Sequence, residues 1–173
     1  EDPALLSLMA SKNIFLTPTF SVYLYHSDIG TQHGIRRALA LKDHHIKSVQ
    51  MALDAGVKVV AGTDAGGWIH GNNAQEITCL VSAGMTPSQA IVSATDSAAQ
   101  CLGLENEIGT IATGKKADLI LVNGNPLEDA SILEHGKAVT LVMKDGQIYS
   151  DKFPYKGSGI QRSIRMFDGR KYE

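Results

Sequence analysis

The stretch VKVVAGTDAGG (Val57–Gly67) decides the fold. Apart from Lys58 it is apolar up to the turn, with no alternation of polar and apolar residues. A run of that kind reads as a parallel-type strand covered on both faces, here 57–63. A carboxylate, Asp64, follows at the strand's carboxyl end. A charge at the end of a covered strand is unfavourable unless it is paired, hydrogen-bonded or bound to a metal. In parallel α/β architectures the carboxyl ends of strands are where active sites assemble. Gly62, Gly66 and Gly67 leave room for a tight turn and the close approach of a ligand. Asp64 is therefore a candidate site residue; the competing reading is a strand-end aspartate that caps a turn.

Outward from that stretch the chain alternates helix and strand. A short helix is expected over 3–11, with Asp2 as N-cap and Pro3 in the first position. NIFLTPTF (13–20) reads as a strand shortened by Pro18, which cannot donate to a ladder. Residues 21–34 form a polar loop punctuated by Gly30 and Gly34. Ile35, Leu39, Ile46, Val49 and Leu53 recur at helical spacing, so 35–55 is a helix stopped by Gly56. After Gly67, Asn72 or Asn73 is placed to cap a helix running to about 83. Thr86, Pro87 and Gln89 spell a capping box for a helix reaching Gly103. Beyond Leu104 the text becomes short strands split by glycine turns. Asp145-Gly146 suits the type I′ turn of a hairpin. The order implies βα units of a parallel sheet or barrel (1–104), a small antiparallel unit (105–150), and a polar, basic tail (151–173).

The 173 residues carry a formal net charge of -2, with 43% hydrophobic content. No basic footprint suggests nucleic acid, and no apolar run is long enough to span a membrane. Cys79 and Cys101 sit in helical text and read as core thiols, not as a disulfide framework or metal pair. The six histidines form no H-x-H or H-E-x-x-H pattern. His44 falls on the polar side of its helix, and adjacent His45 diverges too far from it to share one ion. His70, in the loop GGWIHGNN after Asp64, is a candidate to meet or gate a substrate, against the alternative of an ordinary loop residue. Tyr23, with Tyr25 and His26, follows the other strand and carries a weaker form of that argument. Lys115 and Lys116 read as a solvated edge. Nucleophile-elbow and phosphate-loop motifs are absent from the sequence.

Taken together, VKVVAGTDAGG, GNNAQEITCLVSAGMTPSQAIVSATDSAAQCLGL, IGTIATGKKADLILVNGNPLED and LVMKDGQIY resemble the C-terminal part of an amidohydrolase-superfamily enzyme. The resemblance is to the metal-dependent, Xaa-Pro dipeptidase or prolidase-like branch, with imidazolonepropionase as a relative. It covers about 1–150, with FLTPTFSVY as the seventh strand. It implies the last two strands and helices of a TIM (β/α)8 barrel, followed by part of a small β-sandwich. It implies one or two divalent metals, zinc as a rule, with Asp64 as metal ligand and proton shuttle and the remaining ligands upstream of Glu1. Ser97 stands where such sequences often carry Asn. The implied activity is hydrolysis of a C–N bond in a small amide, dipeptide or cyclic amide. The chain alone is then expected to hold no metal and to be inactive. The expected partners are the small substrate and either a second copy or a missing N-terminal half, in a cytoplasmic setting. The alternative is a truncated, non-catalytic relative serving as an association module.

Overall fold

The computed structural model describes residues 2–24, 32–65 and 71–151. Helix α1 (Pro3–Ser11) begins as its sequence requires: the Asp2 carboxylate accepts from the Ala4 and Leu5 amides, satisfying donors that no helical carbonyl can reach. It ends at Asn13, whose left-handed conformation lets the Ile14 amide reach the Met9 carbonyl. Helix α2 (Gln32–Asp54) is one turn longer at its start than the apolar periodicity indicates. Gly56 (φ +78°) ends it in a Schellman motif, with Val57 N–H donating to the Ala52 carbonyl and Gly56 N–H to that of Leu53. That pair of bonds satisfies the last carbonyls and turns the chain directly into the next extended segment.

The two expected strands are reduced to one parallel bridge, Leu16 to Val59. Leu16 donates to Lys58 O and accepts from Val60 N. The ladder stops there because Pro18 has no N–H and Thr19 is left-handed (φ +60°), so neither can continue pairing. Val57, Val59 and Val60 are buried as the strand reading requires. Val59 packs with Phe20, Val49, Leu80, Ala83, Met85 and Ala90 in the main core. Leu39, expected on the core face of α2, is instead 59% exposed.

Helix α3 (Gln75–Ser82) has Ala74 at its N-cap and no side-chain cap, which corrects the expected asparagine cap. The Asn72 side chain is engaged elsewhere, accepting from the His135 amide at 2.7 Å. The capping box forms as spelled: Gln89 N–H donates to Thr86 Oγ1, and Thr86 N–H to Gln89 Oε1. The single helix expected to Gly103 is two, α4 (Pro87–Ser93) and α5 (Asp96–Leu102). The break lies where the Ser93 carbonyl accepts from Ala61 N–H, giving up an intrahelical partner to tie α4 to the second extended segment.

The C-terminal unit is an antiparallel sheet ordered β1 (Leu119–Val122), β2 (Val139–Lys144), β3 (Gln147–Asp151). Both turn residues of the β2–β3 hairpin have positive φ, Asp145 +50° and Gly146 +74°, as a type I′ turn demands. Asp118 accepts from the Asp145 amide and pairs with Lys144. Residues 105–118, where further short strands were expected, are turns and irregular chain. A 3₁₀ segment, Ala130–Gly136, packs this unit against α3.

Candidate functional site

The Leu16–Val59 bridge is parallel, so the segments that lead to Thr19 and to Asp64 run in the same direction. Asp64 is exposed and left-handed at φ +51°. A non-glycine residue in that region is strained, although Asp tolerates it better than most. The segment before it is tightly packed: a Cβ on Gly62 would collide with the Thr17 side-chain methyl. Just beyond Asp64, the Ala65 amide donates to Thr63 Oγ1 at 3.3 Å. Among the described residues Asp64 shares its left-handed backbone region with Asn13, Thr19, His135 and Asp145. His70, the glycines at 66 and 67, Tyr25 and His26 lie outside the described residues.

Tyr23 is partly buried, its amide donating to the Phe20 carbonyl at 2.9 Å. Its ring tilts against His45 with centroids 4.9 Å apart, and His45 stacks on Phe20 at 4.3 Å. The flank position of His45 on α2 thus becomes an aromatic contact. Burial lowers the His45 pKa, opposed by the Pro18 carbonyl, which favours the charged ring. Its Nδ1 has no hydrogen-bond partner among the described residues.

Sequence reading passed over Glu76. It lies in the first turn of α3 and is fully buried. Its two oxygens accept from consecutive amides, Oε1 from Phe20 and Oε2 from Ser21, each at 2.8 Å. The Ser21 hydroxyl is close to the same carboxylate without the geometry of a hydrogen bond. Burial pushes the Glu76 pKa up, and the two backbone donors pull it back. The only hint in the sequence was an acidic residue among the apolar positions of an amphipathic helix.

A cavity of about 320 Å³ lies between α2 and α3, with Phe20, Tyr23, Lys42, Thr78, Cys79 and Glu134 among its walls. None of residues 62–65 lines it, so it is separate from Asp64. Thr78 Oγ1 donates to Glu134 across one wall. Burial, and then the Glu76 and Glu134 charges, push the Cys79 thiol up to about 12, against the pull of Lys42. That thiol is not a nucleophile at ordinary pH. Among the described residues no three His, Cys, Asp or Glu side chains cluster to hold a metal ion. Asp64 is chemically suited to be one ligand, but a tetrahedral site needs three or four, so the described residues do not complete one.

A family model described as "Amidohydrolase family" matches residues 2–149. Ochratoxinase of Aspergillus niger is 35% identical over 165 residues, covering 92% of this chain and 33% of that protein. A 5-methylthioadenosine/S-adenosylhomocysteine deaminase of Moorella thermoacetica is 36% identical over 130 residues, 68% of this chain and 30% of that one. Among solved structures, a Xaa-Pro dipeptidase with methionine bound in its active site superposes with a TM-score of 0.75 at 36% identity. That superposition covers 86% of this chain and 37% of the dipeptidase. The chain spans about a third of the length of these relatives.

Proposed function

This chain belongs to the amidohydrolase family, and on that premise we propose that it acts as the C-terminal portion of a metal-dependent hydrolase that cleaves a C–N bond. The substrate is a small amide, dipeptide or cyclic amide. Relatives named as a dipeptidase and a deaminase support C–N cleavage as the shared chemistry. In this reading 1–104 supply the last two strands and helices of a (β/α)8 barrel. Residues 105–150 supply part of a β-sandwich, and 151–173 are a polar tail. Exposed apolar residues such as Leu5, Leu8, Ile120 and Leu121 support cover by the preceding part of the enzyme or by a second copy. Two free cysteines are compatible with a cytoplasmic setting. Among the described residues no helix is long and apolar enough to cross a membrane.

One observation carries the site: a left-handed aspartate at the end of the second extended segment, which bridges in parallel to the first. Strain of this sort, about 1–3 kcal/mol, persists where the surroundings impose it and clusters at active sites. A divalent metal, zinc being the expectation, would lower the pKa of water and polarise the scissile carbonyl when bound. In this reading Asp64 is the ligand supplied by the described residues, and the others lie outside them. On the same reading Asp64 would also accept the attacking water's proton and return it to the leaving nitrogen. Tyr23 and His70 are assigned to substrate contact. Asp64→Asn in the complete enzyme tests the reading cleanly, because asparagine also tolerates positive φ. Turnover should fall by about 10²–10⁴-fold with thermal stability unchanged. Near-normal turnover with metal retained would remove Asp64 from the chemistry.

A further inference from the structure

Three residues beyond the Leu16–Val59 bridge the chain does something unfavourable. Thr19 is β-branched yet left-handed, at φ +60°, a conformation such residues rarely adopt. The next two amides, of Phe20 and Ser21, point together into the protein, and both are received by the buried Glu76 carboxylate at 2.8 Å. Successive amides gathered by a left-handed turn make an anion-binding concavity, and here the anion is the protein's own side chain. Phe20 and Ser21 are 7% and 0% exposed, so water does not compete for these donors.

We propose that Glu76 is a positioning residue, a clamp that holds the strained turn at Thr19 and so fixes residues 20–24 at the end of the segment that bridges in parallel to the one bearing Asp64. The carboxylate is chemically required. It offers two acceptors to two converging donors, whereas a glutamine amide would turn its NH₂ toward one of them and leave a buried N–H unmet. The segment it fixes includes Tyr23, and through Phe20 it also fixes the ring on which His45 stacks. Glu76 sits in α3, so the clamp ties the end of the first extended segment to the helix that follows the second. Its catalytic consequence rests on the hydrolase reading above. Glu76 touches no reacting atom, so its loss falls on substrate binding.

The test uses the complete enzyme, with hydrogen–deuterium exchange resolved over residues 19–24, metal analysis, and kinetics on a dipeptide panel. Glu76→Gln is expected to speed exchange at 20–24 about tenfold or more while α4 and α5 keep wild-type protection. KM should rise about tenfold, with kcat and metal content within about twofold of wild type. Thr19→Gly added to Glu76→Gln should return both readouts part-way, since glycine takes φ +60° without a clamp. Glu76→Asp keeps the charge but is a methylene short; it should fall between wild type and Gln, and it serves if Gln does not fold. Unchanged exchange at 20–24, an equal rise across all segments, or an unchanged KM would each overturn the proposal. Asp64→Asn is assayed alongside. Absence of hydrolysis by the wild-type enzyme sinks the hydrolase reading, and full activity in Asp64→Asn removes Asp64 from the chemistry. The exchange data still decide whether the clamp exists.

Discussion

Two carboxylates, one after an extended segment and one in the first turn of a helix, are handled in opposite ways. Asp64 is exposed on a left-handed backbone; Glu76 is buried and receives two amides. The second arrangement uses an acid as scaffold. Cys79 shows the same logic for a thiol. With its pKa pushed up to about 12, only on the order of one molecule in several thousand carries the thiolate at pH 8.5. A thiol reagent at that pH should therefore modify exposed Cys101 and spare Cys79 in the folded protein, with mass spectrometry of the digested product as the readout. Rapid labelling of Cys79 would contradict its environment. The sign for stability follows: the folded pKa lies above the unfolded one. The neutral thiol's contribution is thus whole below about 9 and lost as pH rises towards about 12.

Among the elements, helix ends are where sequence and structure agree best, because caps are satisfied by residues adjacent in the chain. Asp2, the Thr86–Gln89 box and Gly56 all act where the sequence placed them. Thr86 is exposed and touches the helix through its cap bonds, so Thr86→Ala should remove about 1 kcal/mol. The check is a lower urea midpoint at unchanged slope. No change would mean the box is formed but energetically idle. Element interiors agreed less well. The α4–α5 break depends on Ala61 taking the Ser93 carbonyl, a partner over thirty residues away. The first strand's early end was half legible: Pro18 announced it, but the left-handed Thr19 did not.

At the scale of the whole molecule, the chain has a core but no completed metal site among its described residues. In the proposed reading the other ligands lie in chain outside these residues. The 173-residue chain by itself should accordingly bind no stoichiometric zinc. Metal analysis after dialysis is the measurement, and one tightly held zinc per chain would refute the division of ligands. The joint between the two units follows the same dependence on distant partners. Asn72 meets His135 and Thr78 meets Glu134, pairs more than fifty residues apart that no local pattern foretold.

By itself the sequence determined what neighbouring residues settle: helix starts and stops, the type I′ hairpin, a covered valine run, and an aspartate at its end. The family too was legible, because its motifs are contiguous words. Tertiary structure alone decided what depends on residues far apart. It reduced the two strands to a single bridge, turned the Asn72 side chain from cap to joint, and buried Glu76 on two amides from another segment. The physical reason is range: a cap or a turn is satisfied within a few residues, whereas a buried charge needs partners that only the folded chain brings to it.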